Sequence, residues 1–150
     1  MPHSYTNQLM HYVWSTKERN KIIDANLREH LWPFIGGITR QNGMKALIVG
    51  GVEDHVHILL SLPANIAVSK AVQLIKGGSS KWVHETFPSH RNFAWQEGYG
   101  AFSLSISHVQ DTISYIETQA AHHRKRTFKQ EFLMFLQRHG IDYDERYVWG

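Results

Sequence analysis

Polar and apolar residues alternate near the start of the chain, with Tyr5, Leu9, His11 and Val13 on one side, and this spacing predicts a first strand over Tyr5 to Trp14. The polar run Ser15 to Asn20 closes it as a loop. Asp24 is a good helix N-cap, and from there Leu27, Leu31, Phe34, Ile35 and Ile38 recur at helical spacing up to the stop signal Asn42-Gly43. Pro33 within that run argues against an unbroken helix. Lys45 to Gly51 and His55 to Leu62 are β-prone runs split by Val52-Glu53-Asp54, the pattern of an antiparallel hairpin, and Pro63 ends the second strand. Ile66, Val68, Val72, Ile75 and Trp82 outline a second helix that Gly77-Gly78 interrupts. A polar stretch, Pro88 to Gln96, leads to a strand over Gly100 to Ser105. Ser107 and Gln110 have capping-box spacing and predict a helix from His108 to Arg124. A last helix from Thr127 to Arg138 stops at His139-Gly140.

The order β, α, β, β, α, β followed by two helices is the α+β, ferredoxin-like pattern: an antiparallel βαββαβ sheet, RRM-like in topology, with helices on one face, the other face open, and a helical C-terminal extension. No internal repeat or linker-like composition divides the chain, so residues 1–150 read as a single domain.

Composition narrows the function classes. With 42% hydrophobic residues, 12% of the chain aromatic, the sequence can build a core, which excludes disordered and collagen-like classes. The absence of cysteine excludes a disulfide framework, a thiolate metal site and a cysteine nucleophile. Apolar runs such as Val56 to Leu62 fall far short of the roughly 20 residues that a membrane helix needs, and Met1 to Asn7 lacks the features of a secretory signal. The expectation is a cytoplasmic protein. A net charge of +3 is compatible with a polyanionic partner, and 11 His against 13 Asp+Glu draws attention to imidazole chemistry.

In the run His55-Val56-His57-Ile58-Leu59-Leu60-Ser61-Leu62, the two-residue period sends Val56, Ile58, Leu60 and Leu62 to the core and His55 and His57 to the opposite face. The two imidazoles then stand roughly 7 Å apart along the strand, within reach of one cation. On the predicted helix after Ser107, Val109, Ile113, Ile116 and Ala120 form the apolar stripe, and Tyr115 and Gln119 are i, i+4 neighbours on its flank. The Gln119 oxygen offers a third ligand, and two His plus one amide leave positions open for water or phosphate on a cation such as Mg²⁺.

Asp54-His55-Val56-His57 before an apolar run, Trp95-Gln96-Glu97-Gly98-Tyr99 leading into Phe102-Ser103, and Tyr115-Ile116-Glu117-Thr118-Gln119 followed by His122-His123 together resemble the single-tyrosine HUH transposases of small bacterial insertion sequences, their REP-associated relatives included. The resemblance runs from Tyr5 nearly to the C-terminus. It implies a bacterial, nucleoid-associated nuclease that cuts and rejoins single-stranded DNA beside a hairpin, without a nucleotide cofactor. Carried over by motif, Tyr115 would be the nucleophile forming a 5′-phosphotyrosine, and His55, His57 and Gln119 would hold Mg²⁺ or Mn²⁺. The resemblance also implies a homodimer, in which the tyrosine helix of one subunit can complete the metal site of the other. It assigns no role to His122, which projects near the Tyr115 flank.

Lys76, Lys81, Arg124, Lys125 and Arg126, with Lys129, are the candidate phosphate contacts, and Trp82, Trp95 and Tyr99 the candidate base-stacking rings. Gly77-Gly78-Ser79-Ser80 offers a close approach for a DNA backbone but lacks P-loop spacing. Three rival readings remain. A two-histidine phosphoesterase needs a pair of His-x-Thr/Ser motifs, of which only His84-Glu85-Thr86 is present. A non-catalytic RRM-like module would carry aromatics where His55 and His57 stand. A domesticated relative that recognises chromosomal repeat hairpins would keep the same residues.

Overall fold

The computed structural model of the chain describes residues 4–122 and 125–150. Arg124, within the expected phosphate-contacting run, lies outside the described residues. Four strands, β1 (Gln8–Ser15), β2 (Lys45–Val52), β3 (His55–Leu62) and β4 (Gly100–Ser103), form one antiparallel sheet in the order β2-β3-β1-β4. Alternation along β1 and β3 turns Tyr12, Trp14, Val56, Ile58 and Leu60 to one face, where they pack on Leu27, Leu31 and Ile35 of α1 (Ala25–Gln41) and on Val72 and Ile75 of α2 (Val68–Thr86).

Several boundaries differ from the sequence expectation, each for a local reason. β1 starts at Gln8, which pairs with Leu62 at the end of β3, so Tyr5 has no strand to pair with and is 92% exposed. Pro33 sits inside α1 without ending it, because it lies on the exposed face, where water can serve the carbonyl that loses its partner. Gly77 and Gly78 lie within a continuous α2. A Cβ on Gly78 would come 3.0 Å from Ile38 Cδ1, so this glycine permits close packing of α1 on α2 and breaks nothing.

The sheet face expected to be open is covered by three C-terminal helices, α3 (Val109–Glu117), α4 (Gln119–His122) and α5 (Phe128–Arg138). Val13 and Phe102 meet Phe128, Phe132, Phe135 and Leu136 there in a second apolar cluster. α5 is held at its start by a capping box between Thr127 and Gln130. The box expected at Ser107 and Gln110 does not form: α3 is N-capped by His108 without a side-chain bond, and the Ser107 hydroxyl lies 2.9 Å from that of Ser105. The helix expected to run through to Arg124 divides at Thr118, whose hydroxyl donates to the Ser114 carbonyl (2.8 Å) and whose backbone leaves the helical region at φ −104°, ψ 27°.

Candidate metal centre and nucleophile

The site is assembled on the two central strands. β1 and β3 pair Val13 with His57 and Ser15 with His55, so His11, two residues before Val13 on the same face, is the diagonal neighbour of His57. Both His55 and His57 are fully buried beneath the C-terminal helices. Each ring is fixed at its Nδ1: His55 Nδ1 lies 2.6 Å from Asp54 Oδ1, and His57 Nδ1 lies 2.8 Å from His11 Nε2. The two Nε2 atoms therefore point at α5, where Glu131 Oε1 sits 3.4 Å from His55 Nε2 and 3.1 Å from His57 Nε2. Gln119 Oε1 approaches His55 Nε2 to 3.2 Å.

Ligand atoms of His55, His57 and Glu131 all lie within 4.8 Å of one another. Two imidazole nitrogens, one carboxylate and one amide oxygen, with both rings oriented by outer partners, form a donor set that fits a divalent cation. Burial works against a cation on His55, but the hydrogen bonds and charges of Asp54 and Glu131 outweigh it and raise its pKa to about 9. Burial, reinforced by His57, pushes His11 well below the ordinary imidazole value. His11 is thus a neutral ring that can donate to or accept from His57.

Tyr115 reaches the same carboxylate from α3. Its hydroxyl donates to Glu131 Oε2, its ring centroid lies 5.8 Å from that of His57, and His122 stacks on it at 4.4 Å. Burial, then the Glu131 charge, pushes the phenol well above its usual pKa, while a hydrogen bond with Gln119 and the charge of Arg126 oppose the shift. The helix can come this close because β2 carries Gly50, where a Cβ would lie 2.8 Å from Ile116 Cγ2 and 3.1 Å from the Ile116 carbonyl oxygen.

The structure brings His55, His57, Tyr115, Gln119 and His122 into one chain-internal cluster and adds Glu131 and His11, which sequence reasoning did not assign. A signal for Glu131 existed: it interrupts the apolar stripe Phe128, Phe132, Phe135 and Leu136 on α5 and is itself fully buried. Among the candidate cations, Lys81 and Lys125 are exposed, and Arg126 is half-buried and donates to Met134 Sδ. Lys76 Nζ donates to the carbonyls of Gln96, Glu97 and Gly98 at 2.7, 3.1 and 2.7 Å. Two of the candidate stacking rings serve the core: Trp82 stacks on Phe34, and buried Trp95 donates to Ser79 Oγ. Tyr99 remains partly exposed beside Lys76. His84 Nε2 donates to the Phe93 carbonyl (2.6 Å), which gives that ring a structural partner and weakens the phosphoesterase reading.

Residues 4–119 match the family model described as "Transposase IS200 like". Glu131 lies beyond that segment. The chain is 26% identical over 121 residues to the ISDra2 transposase TnpA of Deinococcus radiodurans, covering 77% of this chain and 86% of that protein. It is 24% identical over 123 residues to the transposase for insertion sequence element IS200 of Salmonella typhimurium, covering 77% and 80%. Among solved structures, that of a REP-associated tyrosine transposase bound to a REP hairpin superposes with a TM-score of 0.61 at 15% identity, covering 81% of this chain and 72% of that one, a likeness of fold. The helices and sheet described above carry a sequence that belongs to the IS200-like transposase family.

Proposed function

We propose that this transposase is a metal-dependent enzyme that cleaves and rejoins single-stranded DNA through a covalent link to Tyr115. The observation that carries the reading is the convergence of the Tyr115 hydroxyl and both His Nε2 atoms on the single carboxylate of Glu131. His55, His57 and Glu131 would hold the cation, with Gln119 as a further oxygen donor, and Mn²⁺ suits a donor set containing two imidazoles better than Mg²⁺ does. When bound, the metal supplies Lewis-acid polarisation of the scissile phosphate.

Tyr115 is a weak nucleophile while its phenol is protonated, so the place its proton goes decides the chemistry. The Tyr115 oxygen attacks phosphorus and its proton passes to Glu131 Oε2. The bond from phosphorus to the 3′ oxygen breaks, and that oxygen leaves as a 3′-hydroxyl after taking up a proton. The 5′ phosphate stays on Tyr115, which conserves the phosphodiester. Attack by another 3′-hydroxyl reverses the steps, returns the proton to Tyr115 and completes strand transfer. Arg126 and His122 flank the phenol, Arg126 as a cation that favours developing negative charge.

The hairpin carried by the REP-associated neighbour supports hairpin-flanked single-stranded DNA as the substrate, in the bacterial cytoplasm and at the nucleoid. Exposed Lys81 and Lys125 are the available phosphate contacts, together with Arg126. The Tyr115 cluster is complete within one chain, so a homodimer would not need to exchange its tyrosine helices. A non-catalytic RRM-like module is disfavoured because α3 and α5 cover the sheet face such a module would use.

The test mixes the protein with labelled single-stranded hairpin oligonucleotides from the DNA flanking its gene, with Mn²⁺ or Mg²⁺. A protein-linked band on a denaturing gel is expected, and it should vanish with EDTA and with Tyr115→Phe while DNA binding persists. Binding without any covalent band would overturn the nuclease reading.

A further inference from the structure

Beside the metal centre, between the edge strand β4 and the C-terminal end of α5, lies a cleft of about 530 Å³ that includes Ser103, His108, Arg138 and His139 in its wall. That size falls in the range of roughly 300–1,000 Å³ usual for small-ligand sites. A second hollow of about 190 Å³ shares His11, His108, Thr112, Phe135 and Arg138 with it and adds Asp111 and Tyr115. The two together form a path that ends at the tyrosine.

The wall of the cleft is a platform of flat rings. Phe102 stacks on Phe135 at 5.2 Å and 19°, and His139 lies over Phe102 at 4.7 Å and 33°. A contact of 2.9 Å between His139 Nδ1 and the Phe135 carbonyl fixes the outer ring, which is otherwise exposed. Next to it Arg138 is exposed and forms no hydrogen bond or ion pair among the described residues. A pre-oriented ring beside an unpaired guanidinium is the combination that binds one unstacked nucleotide: a surface for the base and a fork of donors for its phosphate.

We propose that this cleft holds the nucleotide adjoining the scissile phosphate of single-stranded DNA, its base stacked on His139 and its phosphate paired with Arg138. The proposal deepens the reading of Tyr115 as nucleophile and rests on it for the position of the cleaved bond. Three residues contributed by the C-terminal end of α5 (Phe135, Arg138 and His139) then act on the strand, while Glu131 on the same helix acts on the tyrosine.

The experiment measures the anisotropy of a fluorescein-labelled oligothymidylate titrated with the full chain and its variants, with Mn²⁺ binding by electron paramagnetic resonance as a check that each variant is folded. His139→Ala should weaken DNA binding by about tenfold, as loss of one stacked base does, while His139→Phe should retain most of the affinity. Arg138→Ala should weaken binding and lower the salt slope by about 1. Lys45→Ala, at the exposed start of β2 on the sheet edge opposite the cleft, should leave both the affinity and the salt slope unchanged. If the His139 and Arg138 variants lose affinity yet no oligonucleotide ever becomes linked to Tyr115, the cleft stands as a DNA-binding site and the nuclease reading fails separately. If both alanine variants bind oligothymidylate as the unaltered chain does, the cleft proposal is overturned. A chain that binds no single-stranded DNA at all overturns both.

Discussion

His11 Nε2 on β1 lies 2.8 Å from His57 Nδ1 on β3, and this contact fixes which nitrogen of His57 is offered to the centre of the site. In the neutral tautomer that carries its proton on Nε2, His57 donates to Glu131 and accepts from His11 at Nδ1. For His57 to ligate through Nε2, the proton must move to Nδ1 and donate to His11 instead. A neutral His11 can serve in both arrangements, whereas a hydrocarbon side chain can serve in neither.

His11→Ala is therefore expected to weaken Mn²⁺ binding by about 10- to 100-fold, the usual effect of removing an outer hydrogen-bond partner of a metal-bound histidine. Paramagnetic titration of free Mn²⁺ measures it directly. His11→Gln, which keeps a polar end at about the same reach, should recover part of the loss. Equal affinities for all three proteins would show that the 2.8 Å contact is only packing.

Glu131→Gln preserves the shape of the side chain while removing its charge and its capacity to take the Tyr115 proton. The rate of covalent DNA adduct formation should fall by at least roughly 10²–10⁴-fold, the span of a lost general base, and Mn²⁺ affinity should fall with it because the same carboxylate would be a metal ligand. Affinity for single-stranded DNA should stay within a factor of about two, because Glu131 is fully buried and is not one of the exposed cations that hold the backbone. Single-turnover gels and anisotropy separate the two quantities.

Metal binding should also appear as stability, since an unfolded chain does not present the cluster. With free Mn²⁺ at 100 times its dissociation constant, stabilisation of about 2.7 kcal/mol is expected, which raises Tm by roughly 5–10 °C for a domain of this size. EDTA should remove the gain. His57→Ala should abolish it, and a Tm that ignores Mn²⁺ in the unaltered protein would count against the metal centre as described.

Gly50→Ala tests how the tyrosine helix is placed. The new methyl would sit 2.8 Å from Ile116 Cγ2 and 3.1 Å from the Ile116 carbonyl oxygen, so α3 must move away from β2. Overpacking of this kind costs about 1–3 kcal/mol. Thermal melts should show that loss, and adduct formation should fall further than stability alone accounts for, because Tyr115 immediately precedes Ile116 on the helix. Mn²⁺ binding, which rests mainly on His55 and His57 of β3 and Glu131 of α5, should largely survive.

Much of the sheet and its first helical layer was legible in the sequence because those contacts are encoded locally. The period of two along His55–Leu62 and the helical spacing from Leu27 to Ile38 each bury one face whatever the partner is. The departures came where a side chain's local preference met a particular neighbour. Thr118 could continue a helix by spacing, but its hydroxyl bonds back to the Ser114 carbonyl and the chain turns there. Gly77-Gly78 reads as a break until Ile38 on α1 is seen packed against Gly78.

The same division holds at the candidate site. The strand period placed His55 and His57 on one face, whereas Tyr115 and Gln119, read as neighbours on one helix, lie on either side of the break at Thr118, and the resemblance to the transposase motif is what singled them out. Glu131 and His11 were not recognisable, since each reaches the cluster from an element distant in sequence: α5 folding back across the sheet, and β1 pairing with β3 in one register out of several. Chain order determined which residues could share a strand face or a helix turn. Only tertiary packing decided that the second sheet face would be covered, that a buried carboxylate would stand between two imidazoles and a phenol, and that the His55–His57 face would be closed over, because burial of Phe128, Phe132, Phe135 and Leu136 against Val13 and Phe102 is a long-range gain that no local spacing contains.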